Sequence, residues 1–265
     1  MTLAAIIEGI GIVGPGLQNW EATRAIMAGA EAYVAAPTLL PAPGSLPPSE
    51  RRRASRATKV VLAAGLEAAA VAGVDPSSLA TVFASSAGDG DNCHQLCLQL
   101  ATGDRQLSPT RFHNSVHNAP AGYWGIASGS MAPSSVICAH DGSFGAGLLE
   151  AMAYVATTGE RCLLIAYDTD YPEPMRTARP TPDAFGIALV LGTAGSDRRG
   201  LASIVVDRTD ERATVIPNQT IDALRCAIAA ARGLPLLGAI ARGESGRVVV
   251  DYLGARQIAI DVAPC

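Results

Sequence analysis

The 265-residue chain has no histidine after His140, few aromatic residues (5%) and few charged ones (17%). Each shortage closes off a class of function. No basic stripe, zinc finger or RNP-like run appears and the formal net charge is −4, which argues against a nucleic-acid partner. No apolar run reaches the roughly 18 residues of a membrane span. The N-terminal MTLAAIIEGIGIVGPG has neither a basic leader nor a clean cleavage site. It therefore reads as a first strand rather than a signal peptide, and the expectation is a soluble, cytoplasmic protein. The six cysteines are scattered through apolar segments of a chain too large to need staples, so reduced and mostly buried thiols are expected. Cys93, His94 and Cys97 cluster, but no further ligand follows at zinc spacing. Neither a metal nor a cofactor is expected.

What remains is abundant small and aliphatic residue. Hydrophobic residues make up 49% of the chain, enough for a well-buried globular fold. Ala4 to Val13 reads as a strand ending at Gly14-Pro15-Gly16. Trp20 to Met27 reads as a short helix, and Pro37 to Pro48 as a proline-rich loop. Ser55 to Ala72 has helical spacing and stops at Gly73. Ala80 to Ala84, Arg161 to Tyr167 and Gly186 to Leu191 read as buried strands, and Ser134 to Ala139 as a compact strand. Asp91 to Thr102, Ala119 to Ser128 and Phe144 to Thr157 read as helices between them. This alternation is the α/β signature. In the tail, Leu201 to Val206 reads as a strand and Thr220 to Arg232 as an amphipathic helix. Arg247 to Tyr252 and Gln257 to Val262 then form a hairpin around Leu253-Gly254-Ala255-Arg256. The expected division is 1–200 for the main layered unit and 201–265 for an extension packed on it. Arg51, Arg52, Arg53, Arg56 and Lys59 read as a solvated helix entrance, with docking of an acidic partner the lesser reading.

The most informative stretch runs from Ser108 to Leu149. Ala132-Pro133-Ser134 introduces a strand, which leads into the turn His140-Asp141-Gly142-Ser143 and a small-residue helix, Phe144 to Met152. Together these resemble the nucleophile region of a β-ketoacyl synthase, with Asp141 where that family has its cysteine. Ser108-Pro109-Thr110-Arg111-Phe112 and Asn118-Ala119-Pro120-Ala121-Gly122 resemble the family's preceding loop and helix. Arg56-Ala57-Thr58-Lys59 with Ala63 to Gly73 resembles its early helix, and Asp183-Ala184-Phe185-Gly186 with Ala188 to Leu191 the close of its first half. The similarity covers Ala4 to Leu191 and implies an α/β fold: a thiolase-like N-terminal half, layered α-β-α, with a small C-terminal helix and β-hairpin.

Two departures bear on function. Condensation needs a thiolate to carry the acyl chain, and Asp141 supplies a carboxylate. The family's second half supplies two histidines, and none follows Asp141 here. The chain is therefore similar to chain-length-factor-type partners, in particular the short ketosynthase-like N-terminal domain proteins of aryl polyene clusters. That resemblance implies a heterodimer with an active β-ketoacyl synthase, served by an acyl carrier protein, in which this subunit helps shape the acyl tunnel. Ser134, Ser135, Val136, Ile137 and Cys138 would be the strand pairing across the two-fold axis. Phe112, His113, Ser115, Val116, His117 and Asn118 would approach the tunnel, although His113 and His117 could equally be ordinary loop hydrogen-bonders.

Asp141 itself reads as an N-terminal cap of the helix beginning near Phe144 rather than as a general base. His140, adjacent on a strand, should point to the opposite face. The enzymatic rival is an acyl-thioester hydrolase or acyltransferase using Cys138 or Ser143. The plainer reading makes Cys138 a small buried hydrophobe. In Gly88-Asp89-Gly90-Asp91-Asn92, Asp91 reads as a helix cap.

Overall fold

A computed structural model describes residues 2–103, 106–195 and 200–265. Its strands are β1 (Leu3–Val13), β2 (Ala80–Ala84), β3 (Ser134–Ile137), β4 (Cys162–Asp168), β5 (Phe185–Thr193), β6 (Ala202–Thr209), β7 (Gly246–Leu253) and β8 (Arg256–Pro264). Its helices are α1 (Trp20–Met27), α2 (Pro48–Arg53), α3 (Arg56–Ala72), α4 (Gly90–Ala101), α5 (Pro109–His113), α6 (Ala119–Ser128), α7 (Ser143–Thr158), α8 (Met175–Ala178), α9 (Gln219–Ala227) and α10 (Leu234–Arg242). All eight strands form one sheet in the order β3-β2-β4-β5-β1-β6-β8-β7. β2 runs parallel to both β3 and β4, and every other pairing is antiparallel. The arrangement is an α/β fold, as the sequence led us to expect.

Both faces of the sheet are covered. Along β4, Cys162, Leu164 and Ala166 enter one core and Leu163, Ile165 and Tyr167 the other, the period-2 alternation of a strand buried on both sides. β1 departs from strict alternation. Ala5 and Ile7 share a face with Ile10 and Ile12, because the register against β5 shifts between Ile7 and Gly9. A one-residue bulge restores inward facing after the slip. On the other face, α3 lies directly on β1. A Cβ at Gly11 would stand 2.0 Å from the Ala64 carbonyl oxygen, so only glycine fits. α3 itself is defined by Ser55, whose hydroxyl accepts from Thr58 N–H, and by Gly73, left-handed at φ 65°.

The tail continues the sheet beyond β1 through β6, β8 and β7, and then folds back onto α7. A Cβ at Gly142 would stand 2.1 Å from the Tyr252 carbonyl oxygen, and one at Gly145 2.9 Å from that of Asp251. The hairpin therefore covers the turn between β3 and α7. The expected single tail helix is interrupted: α9 stops at Ala227, a 3-10 segment spans Ala230–Gly233, and α10 follows.

Three local expectations are corrected. Asp89, not Asp91, caps α4, accepting from Asn92 N–H at 3.0 Å. Five of the six thiols are exposed and only Cys162 is buried, because Cys93 and Cys97 share the outer face of α4 one turn apart. Cys138 lies beyond the end of β3 and is exposed, not buried within a strand. Among the described residues, no helix is long and apolar enough to cross a membrane, and no group of three or more His, Cys, Asp or Glu is placed to hold a metal ion.

Candidate functional site

Because β2, β3 and β4 are parallel, their carboxyl ends open on one rim of the sheet. Ser85 and Ser86 follow β2, Cys138 to Ser143 follow β3, and Asp168 ends β4. Such rims are where open α/β sheets place their chemistry.

The turn after β3 is the 3-10 segment His140–Gly142, and among the described residues His140 is the one non-glycine residue with positive φ, at 51°. That backbone reversal undoes the expected opposition of His140 and Asp141. His140 Nδ1 lies 3.7 Å from Asp141 Oδ2. Asp141 does not cap α7. The cap position is Gly142, without a side-chain bond, and the Asp141 carboxylate turns to Arg179, whose Nη2 donates to Oδ1 at 2.6 Å. Nη1 of the same arginine stands 2.7 Å from His140 Nε2. An arginine can only donate, so Nε2 accepts and the ring proton sits on Nδ1. Arg232 approaches Asp141 Oδ2 at 3.9 Å and holds Asp251 at 2.7 Å, and Asp251 is met in turn by Arg225 at 3.4 Å. Arg225 pairs with Asp222 at 2.6 Å, which holds that carboxyl below the usual range. Alternating charges thus run from the turn into the tail, and a carboxylate pinned this way is a poor acyl carrier.

Ser143 is 1% exposed. Its hydroxyl donates to His140 O at 2.7 Å and accepts from Ala139 N–H at 3.1 Å, so it is a structural clasp. Cys138 Sγ lies 3.2 Å from Ser86 O. Beneath them sits Asp168, a buried carboxylate. It accepts from Ser86 N–H at 2.9 Å, Ser86 Oγ at 2.7 Å and Ala230 N–H at 2.8 Å. Burial raises its pKa, while the Ser86 and Ala230 donors pull it down. It joins three segments distant in sequence: the β2 rim, β4 and the tail.

A second region surrounds α5 and α6. Phe112, His113, Val116 and Asn118 share one apolar groove of 510 Å³ with Tyr123 and Ile126. Ser115 and His117 are not part of its lining. The groove is anchored from below. Tyr123 donates to Asn114 at 3.1 Å, Asn114 donates to the Arg53 carbonyl at 3.0 Å, and His113 packs edge-on against Tyr123. Its outer residues remain bare: Phe112 is 64% exposed, Val116 53% and Ile126 49%. Met131, just before β3, is 98% exposed. Four large apolar side chains between positions 112 and 131 are thus exposed.

β3 begins three residues after Met131 and is one of the sheet's two edge strands. Thr81 N–H donates to Pro133 O at 2.9 Å and Ser85 N–H to Ile137 O at 3.1 Å. Alternate residues of a parallel strand turn their backbone groups to opposite sides. Pro133, Ser135 and Ile137 therefore face β2, and Ser134 and Val136 present theirs at the open edge. Three groups were not visible in the sequence. Arg179 and Arg232 carry no local motif, and Asp168 reads as the polar end of a buried strand.

The profile of the β-ketoacyl synthase N-terminal domain family matches residues 18–232. No curated protein matches by sequence. Among solved structures, the chain is similar to one in the ketosynthase–chain length factor complex of Xenorhabdus doucetiae, at 22% identity and TM-score 0.75, covering 98% of this chain and 99% of that one. It is also similar to a chain of the ishigamide ketosynthase/chain length factor, at 15% identity and TM-score 0.72, with 99% of each chain covered. A β-ketoacyl synthase from Burkholderia phymatum aligns over 100% of both chains at 12% identity and TM-score 0.67.

Proposed function

We propose that this chain, which belongs to the β-ketoacyl synthase N-terminal domain family, is a non-condensing subunit that pairs with an active β-ketoacyl synthase and forms one wall of its acyl tunnel. The observation that carries the pairing is the open edge of β3, and exposed Phe112, Val116, Ile126 and Met131 in the segment before it support it. An unpaired edge is an aggregation hazard unless a partner covers it. The non-condensing role is supported by Asp141, whose carboxylate is engaged by Arg179 where the family's nucleophile would stand. In this reading the partner performs condensation on thioesters brought by an acyl carrier protein.

The groove at Phe112 and Val116 gives the tunnel role its test. Val116→Trp should shorten the products of the reconstituted complex by at least one extension unit, as read by mass spectrometry. Unchanged product length with the complex intact would remove this residue from the tunnel wall.

One observation favours a second reading, in which Cys138 transfers acyl groups: its thiol is exposed. Ser143 offers no such support, since its hydroxyl is buried and committed. Incubation with an acyl thioester should leave the intact mass of the chain unchanged. A stable adduct on Cys138 would favour the enzymatic reading instead.

A further inference from the structure

α4 carries two thiols that neither the Asp141 turn nor β3 uses. Cys93 and Cys97 lie one helical turn apart, and both are exposed. They sit inside a regular helix whose start is fixed, since Asp89 accepts from Asn92 N–H at 3.0 Å. The spacing of the pair is therefore set before any ligand arrives, and little freedom is lost on binding.

Distance decides what such a pair can do. Residues four apart on a helix have Cβ atoms about 5–6 Å from each other. A disulfide needs Cβ atoms about 3.5–4.5 Å apart, so closing one would buckle α4. An ion placed between the sulfurs asks for no such distortion. Two metal–thiolate bonds of about 2.3 Å each, the zinc value, span about 4.6 Å, and side-chain rotation brings the sulfurs to that separation. The thiols already act on each other. Partial burial raises the Cys93 thiol, Cys97 raises it further by charge and by a hydrogen bond, and the Asp89 carboxylate adds to both. Two thiolates beside a carboxylate repel one another, and a cation held between them removes that cost.

The number of ligands selects the cation. Among the described residues, no third His, Cys, Asp or Glu joins the pair in a group that could hold a metal ion. Structural zinc takes four ligands, and iron–sulfur clusters take four cysteines. Of the ions that soft thiolates favour, this leaves monovalent copper, which is stable with two sulfurs in a line.

We propose that Cys93 and Cys97 form a two-coordinate site for monovalent copper on the outer face of α4. Each thiol gives up its proton and each sulfur donates a lone pair, so binding one Cu(I) releases two protons and changes no oxidation state. The inference stands apart from the pairing reading, since it uses neither β3 nor Asp141.

Anaerobic titration of the reduced full chain with Cu(I), in competition with the chelator bicinchoninate, tests the site. Wild type should show one tight equivalent that Cys93→Ser with Cys97→Ser lacks, and the metal-free double variant should keep the wild-type melting temperature. Cys93→Ser alone should weaken that equivalent at least 100-fold, because a linear ion needs both sulfurs. Cys138→Ser should retain it, and excess zinc should leave the copper bound. An unchanged tight equivalent in the double variant or wild-type affinity in Cys93→Ser would overturn the proposal. So would loss of the equivalent in Cys138→Ser or displacement of the copper by zinc.

Discussion

Val136→Pro should abolish the complex with the active ketosynthase while leaving this chain folded. The Val136 N–H faces away from β2, toward the open edge, so its loss costs the protein's own sheet nothing. Proline is tolerated on edge strands in that orientation. A partner strand pairing there would lose a central ladder bond and meet the pyrrolidine ring. We expect affinity to fall at least 100-fold, about 3 kcal/mol, as measured by co-purification and size-exclusion chromatography. Ser135→Pro is the contrast: its N–H faces β2, so the variant should lose stability as well as partner. A Val136→Pro chain that still co-purifies at the wild-type level would sink the β3 interface.

The largest loss of stability should follow from Asp168→Ala. Removing the carboxylate leaves the buried Ala230 N–H and the half-buried Ser86 N–H and Oγ without their acceptor. Unsatisfied buried donors each carry a desolvation cost, and together about 3–5 kcal/mol is expected, read by urea unfolding. The same group makes a pH prediction. Burial raises its folded pKa above the ordinary 3.8, so the folded state holds the proton where the unfolded state has released it. Stability from this group is therefore complete below pH 3.8 and declines as pH climbs through the raised value. Asp168→Asn, which cannot titrate, should lack that slope. Parallel curves for wild type and Asn variant between pH 4 and 7 would show that the carboxyl is not perturbed.

Much of the fold was legible because it is local. The ends of α1, β2 and α6 fall where the residue pattern put them, and Ser55 and Gly73 bracket α3 as cap and stop. Three of the helices that escaped notice share one cause. α2, α5 and α10 each carry proline in the first turn. Pro48, Pro109 and Pro235 resemble breakers in sequence, yet the first turn has no N–H bond for proline to lose. The site was less legible. The turn at Asp141 could be placed from the strand before it and the small residues after it. Its partner Arg179 lies 38 residues away, and nothing in a one-dimensional pattern joins them. The cap reading of Asp141 was the sensible local answer, and it lost to a charge that only the fold brings near.

The two ends of the sheet are not alike. At β7, Val249 already exchanges bonds with Thr214, donating to its hydroxyl at 2.8 Å and accepting from its N–H at 2.8 Å, and a bulge follows between Asp251 and Leu253. That end is blunted and β3 is not. A sheet that could grow in both directions would polymerise. One that grows only at β3 adds a single neighbour and stops, so its stoichiometry is fixed by geometry rather than by affinity. Raising the concentration of such a subunit should saturate its partner without seeding fibres.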